Sequence, residues 1–272
     1  YSANTWKKTE VTWQGTLYTV SWNGVRIQIA PKEEQSSDVE GARKLAEYLN
    51  FPPEEARRVE MVPLKRGFSK PIYEVVPVTP LFVTEDEIAS KLAEDKYFRG
   101  KLSHWLERIS GRELSVNFVP SQITFSLDAY ERETGMVTEL VNEGFGVNQL
   151  VFLLAKCLRP EAKTICIEEP EIHLHPSSIR RLVEVLAEIS REEGKKFVIS
   201  THSEPLILSL SALVAKGALK PSEVAIYFVE KEGKRTKLTP QKMNEKGQIE
   251  GGLRSFVEAE LEDLKVFLGL EE

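Results

Sequence analysis

Residues 164–176 read TICIEEPEIHLHP: an apolar run that ends in Glu168 and Glu169, then a third acid, Glu171, and an H-x-H pair, His173 and His175. An apolar run with no polar alternation fits a strand buried on both faces, as in a parallel sheet covered by helices. The segments around it agree. Residues 176–194 (PSSIRRLVEVLAEISREEG) carry Pro176 in the first turn and Ile179, Leu182, Val183, Leu186 and Ile189 along one face, which predicts a helix. Residues 195–201 (KKFVIST) predict a second apolar strand, and EPLILSLSALVAKG at 204–217 a helix after it. Upstream, GVNQLVFLLAKCL at 146–158 predicts another helix, beginning near Val147. From about residue 138 the chain therefore reads as α/β, with a mainly parallel sheet and flanking helices.

Residues 1–137 read differently, as an antiparallel β plus helical portion. VTWQGTLYTVSWNGVRIQIA at 11–30 alternates and breaks at Gly15 and at Asn23-Gly24, a hairpin signal. VEGARKLAEYL at 39–49 has helical spacing. TEDE at 84–87 is a capping box, ahead of a helix expected to end near Tyr97, and KLSHWLERIS at 101–110 predicts a short helix closed by Gly111. LSVNFVPSQITFSLDAY at 114–130 predicts strand structure around Pro120. Near the end, VAIYFVEKEGKRTKLTP at 224–240 predicts a hairpin and LRSFVEAELEDLKVFLGL at 253–270 a helix. The division expected is 1–137 and 138–272.

The 272 residues are 41% hydrophobic, enough for a sizeable core. A net charge of −6 disfavours blanket attraction to nucleic acid and leaves KEGKRTK at 231–237 as the local basic patch, or simply a solvated hairpin tip. Two cysteines, Cys157 and Cys166, lie inside apolar runs, which suits a reducing, cytoplasmic setting. The apolar segments are too short to cross a bilayer.

Ligands of parallel α/β sheets gather at the carboxyl ends of the strands. Two such ends carry chemistry here, Glu168-Glu169 and Thr201-His202. A strand ending in two acids suits a nucleotide hydrolase: one carboxylate holds Mg²⁺ and the other orients the attacking water, while a histidine at the next strand end meets the γ-phosphate. Gly144 and Gly146 permit close backbone approach at a helix N-terminus, either as an anion site or only for tight packing. Other uses of the same residues stay open. His173 and His175 beside Glu169 or Glu171 could bind Zn²⁺ or Mn²⁺ in a metal-dependent hydrolase, and Glu171 could be a solvated strand end. The phosphate-cradling GxxxxGK[ST] is absent: the Gly-Lys pairs at 100–101, 194–195 and 233–234 are followed by Leu102, Lys196 and Arg235.

Taken together, ICIEEPEIHLHP resembles the Walker B strand and following loop of ABC-type AAA ATPases, in the branch of the overcoming-lysogenization-defect (OLD) and SMC-like proteins. VISTHSEPLI resembles that branch's histidine switch, and LVNEGFGVNQLVFLLAKCL is similar to its signature segment. Any one motif is weak; the three in order are specific. The resemblance implies the C-terminal lobe of a P-loop NTPase that dimerises around ATP and Mg²⁺. It implies Glu169 as the residue that polarises water, His202 as the γ-phosphate sensor and Glu168, where many relatives place Asp, as a Mg²⁺ ligand. Asn142, Gly144 and Gly146 would reach the partner's nucleotide, and the loop through His175 would couple the two sites. The lobe with the phosphate loop is expected upstream of Tyr1, as the missing initiator methionine suggests, or in a partner. This chain alone is then not expected to hydrolyse ATP. A homodimer acting on another molecule, DNA in repair or defence, is the implied setting, with a non-catalytic dimerisation module as the alternative.

Overall fold

Alternation in the opening residues produces a three-stranded antiparallel meander: β1 (Lys7–Trp13), β2 (Thr16–Trp22) and β3 (Ile27–Pro31), with Val20 opposite Ile29. The computed structural model describes residues 7–13, 16–22, 27–31, 39–50, 58–79, 84–120 and 123–250. The expected Asn23-Gly24 turn and the helix at 253–270 lie outside them. The chain divides into two compact units, Tyr1–Val59 and Glu60–Glu272. In the first, helix α1 (Val39–Asn50) places Ala42 and Leu45 in a small cluster with Tyr18 and Ile29.

The second unit holds two kinds of sheet. One is antiparallel and built on β7 (Thr124–Glu131), which pairs with β5 (Tyr73–Glu74), β6 (Arg112–Phe118) and β8 (Val137–Glu139). Helices α2 (Glu85–Glu94) and α3 (Lys96–Ser110) precede β6. The capping box forms as expected, with Thr84 and Glu87 bonding reciprocally. The expected helix end near Tyr97 is corrected. Asp95 leaves the helix at φ −98°, and its carboxylate accepts from Phe98 N–H to start a second helix at once. Gly111 closes that helix at φ 73°.

The other sheet runs β10 (Lys196–Ser200), β9 (Thr164–Glu168), β4 (Val59–Val62). Strands β9 and β10 are parallel, from Thr164 opposite Lys196 to Glu168 opposite Ser200. Helices α4 (Phe145–Cys157), α5 (Pro176–Glu193) and α6 (Glu204–Ala215) follow the order read from the sequence. The fold class is α/β, parallel strands with flanking helices. Helix α4 starts at Phe145, two residues before the position expected. It is mostly apolar and buried through its last nine positions except Gln149, as a central helix must be, with Asn148 and Lys156 as its buried polar residues. Leu150, Val151 and Leu154 join Ile165 and Ile167 of β9, Leu182 and Ile189 of α5, and Leu102 and Leu106 of α3 in one core. Burying a side chain of that size contributes about 1.5–3 kcal/mol. Buried Glu60 of β4 ties this sheet to the end of α4 through Lys156 (3.1 Å) and Arg159 (2.6 Å). The hairpin β11 (Ile226–Glu232), β12 (Arg235–Gln241) ends the described chain's regular structure. Among the described residues no helix is long and apolar enough to cross a membrane.

Candidate functional site

Because β9 and β10 run parallel in register, their carboxyl ends lie side by side, and Glu169 N–H donates to Ser200 O (2.9 Å) one step past the ladder. This adjacency brings Glu168-Glu169 next to Thr201-His202. Glu168 is exposed, with Oε2 accepting from Leu64 N–H (3.0 Å). Glu169 is half-buried and holds φ 40°, a conformation L-residues rarely adopt. After it the chain turns twice, Ile172 N–H to Glu169 O (3.2 Å) and Leu174 N–H to Glu171 O (2.9 Å). His202 is exposed between two hydroxyls: Thr201 Oγ1 accepts from Ser203 N–H (2.9 Å), and Ser203 Oγ caps α6 at Leu206 N–H (3.3 Å).

The glycine pair divides. A Cβ on Gly146 would stand 2.6 Å from His173 O, so this glycine is what lets the start of α4 lie against the loop after β9; around Gly144 a Cβ meets nothing within 4 Å. Gly144 is the N-cap and supplies no side-chain acceptor, so the first-turn amides keep their donor character. Exposed Phe145 lies over His173 with ring centroids 5.4 Å apart. Asn142, exposed, donates to Glu139 Oε2 (2.9 Å). His175 is the N-cap of α5, its Nδ1 accepting from Ser177 N–H (3.3 Å). Glu169, His173 and His175 therefore do not converge, and among the described residues no three His, Cys, Asp or Glu side chains are placed to hold a metal ion.

Three participants escaped the sequence reading. Arg66, in the loop after β4, donates from Nη1 to Glu168 O (2.7 Å) and from Nη2 to Glu169 O (2.8 Å). Burial pushes its pKa below the ordinary guanidinium value, opposed by the nearby charges of Glu171, Glu169 and Glu168. Gly67 holds φ 121°, and a Cβ there would stand 2.5 Å from Asn148 Oδ1. Buried Asn148, inside α4, accepts from Phe68 N–H (2.7 Å) and donates to Phe68 O (2.9 Å) and Leu140 O (3.0 Å). Asn148→Ala strands a buried N–H and two carbonyls. It should lower unfolding stability by about 2–4 kcal/mol, read as a shift in urea midpoint at unchanged slope; a midpoint within error of the parent would dismiss this role. The available signal was VPLKRGFSKPIY, whose glycine and cations follow the short strand VEMV as the acids follow β9.

A sequence model of the family described as "AAA domain, putative AbiEii toxin, Type IV TA system" matches residues 37–209, more than half of the chain. Among curated proteins the chain is similar to the phosphonates import ATP-binding protein PhnC 1 of Nostoc sp., 27% identical over 168 residues, 62% of this chain and 57% of that protein. It is also similar to PhnC of Stutzerimonas stutzeri, 37% identical over 57 residues, 21% of each. The match thus spans little more than half of one relative and about a fifth of the other. Among solved structures, the Smc head bound to the C-winged helix domain of ScpA aligns at 12% identity, covering 84% of this chain and 68% of that one, TM-score 0.47. The SMC head domain from Thermotoga maritima aligns at 10% identity, covering 86% and 72%, TM-score 0.42.

Proposed function

We propose that this chain, a member of the AAA-domain family matched above, supplies the acid-bearing part of an ATP-hydrolysing site of the ABC- and SMC-like kind, which closes as a dimer around ATP and Mg²⁺. The observation that carries the proposal is the juxtaposition of Glu168-Glu169 and Thr201-His202 at neighbouring ends of two parallel strands. In this assignment Glu169 takes the proton of, and aligns, the water that attacks the γ-phosphate. His202, exposed on the adjacent strand end, meets the γ-phosphate. Glu168 fits Mg²⁺, since it is an exposed carboxylate and Mg²⁺ is held by one or two carboxylates together with substrate phosphates. The metal, when bound, neutralises charge on the β- and γ-phosphates. The uncapped amides of Phe145 and Gly146, with Asn142 and Gly144, are assigned to the nucleotide held by the partner subunit. The loop that runs from Glu169 to His175 and packs on Gly146 is assigned to coupling between the two sites.

The sequence has no GxxxxGK[ST], so the phosphate-cradling lobe is proposed to come from upstream in the same polypeptide or from a partner. On this view residues 138–272 form the nucleotide-facing part and 1–137 the remainder. The molecule moved by the closing dimer is proposed to be DNA, for which the exposed Lys231, Lys234 and Arg235 at the β11–β12 tip offer a contact.

The deciding experiment measures ATP binding and Mg²⁺-dependent turnover by this chain and by an upstream-extended form, with and without duplex DNA. Turnover confined to the extended form is the expected result. Silence in both, with dimer formation intact, would replace hydrolysis by a purely dimerising role.

A further inference from the structure

We propose that Arg66 and Glu171 are positioning residues that clamp the strand-end turn from two sides, Arg66 fixing the backbone that carries Glu169 and Glu171 fixing the hydroxyl beside His202. The inference deepens the ATPase assignment above and rests on it.

A glutamate at φ 40° is strained and persists only where its surroundings over-determine it. Arg66 supplies that restraint. Its two Nη groups hold the carbonyls of Glu168 and Glu169, one on each side of the strained residue's nitrogen, and Nη1 also donates to Pro63 O (3.1 Å), closing its own loop. A rigid fork with two separate donor nitrogens can do this; a lysine offers one point charge. Arg66 contacts the backbone of the acids, so it acts through them.

Glu171 acts on the neighbouring strand end. Its Oε1 accepts a hydrogen bond from Thr201 Oγ1, which in turn accepts from Ser203 N–H, so the residues on both sides of His202 are fixed by one chain of bonds. Its Oε2 is buried and makes no hydrogen bond among the described residues, although the carboxylate's charge acts on Arg66. A solvated strand-end acid would keep both oxygens in water. Here an unmet carboxylate oxygen is retained beside a bond that orients the histidine, which the desolvation cost of such an oxygen makes informative.

The chain has four histidines, so ring-proton NMR resolves them individually, with His202→Gln assigning its signal. Glu171→Ala should move the His202 resonance and leave His104 unmoved, Thr201→Val, which also removes the acceptor of Ser203 N–H, should move it at least as far, and Glu171→Gln, which keeps an acceptor, should not move it. The double variant should match Thr201→Val alone, because Glu171 acts on this strand end only through the Thr201 hydroxyl. In the ATP-hydrolysing form, Arg66→Ala and Arg66→Lys should each lower kcat about tenfold or more, with nucleotide affinity within threefold and thermal midpoints recorded alongside. A His202 resonance untouched by Glu171→Ala, or kcat within twofold for both Arg66 variants while Glu169→Gln abolishes turnover, overturns the clamp and leaves the ATPase assignment standing. Turnover indifferent to Glu169→Gln overturns that assignment instead.

Discussion

Glu169→Gln should cut ATP turnover of the hydrolysing form by about 10²–10⁴-fold, the range general-base catalysis supplies, while nucleotide still binds. The substitution is nearly isosteric. It leaves the Glu169 N–H bond to Ser200 O and the Arg66 bond to the residue's carbonyl in place, so the strained turn keeps its scaffold. What it removes is the basicity that takes a proton from water. ATP should therefore bind, the dimer should close, and the closed state should accumulate. Rapid-quench single turnover measures the loss, and size-exclusion chromatography with ATP measures the trapped dimer. A rate within threefold of the parent would move the catalytic role away from Glu169.

Gly146→Ala should be the most damaging of the small substitutions to the fold, and Gly144→Ala close to silent in stability. At Gly146 the added methyl would meet a backbone oxygen, His173 O at 2.6 Å, and Leu174 Cδ2 at 3.2 Å. His173 itself holds φ 62°, so the loop facing the methyl is already constrained. Either α4 or the loop must retreat, at a cost of about 1–3 kcal/mol for overpacking. The displacement also separates the first-turn amides from the loop assigned to coupling, so turnover and ATP-dependent dimerisation should fall further than stability does. Gly144 sits at φ −52°, ψ 147° with open space around its Cβ position. Its alanine variant should unfold within about 0.5 kcal/mol of the parent, the usual range for substitutions away from packed features. Equal effects at both positions would mean that amide exposure, and not packing on His173, is what the glycines provide.

The contrast between these glycines shows where sequence reading stops. Both were visible as residues that admit close approach, but which of them is approached depends on a carbonyl in another loop. The strand ends were legible for the opposite reason. TICI and FVIS are unbroken apolar runs, so a parallel pair could be read directly and the residues just past each run had to share an edge. The break between α2 and α3 was read a few residues late, because Asp95 ends one helix and caps the next with no glycine or proline to mark it. Arg66 and Asn148 were missed on the same physical ground. Their partners lie 102, 103 and 80 positions away in the chain, and hydrogen bonds over such separations leave no period or local pattern. Glu171 could equally have been a solvated acid, and only the Thr201 hydroxyl across the strand boundary decides.

The same separations set a timetable for biosynthesis. The loop carrying Arg66 leaves the ribosome 102 residues ahead of the Glu168 carbonyl it grips, which at ordinary translation speeds is a wait of about 5–20 s. Until then its cation lacks Glu168, and for the first 80 residues of that wait the Phe68 amide lacks Asn148 and Gly67 has no reason to hold its unusual angle. The acid-bearing strand thus arrives long after the loop it shapes, and the turn at its end sets only when Ser200 of the later β10 has followed to take the Glu169 N–H.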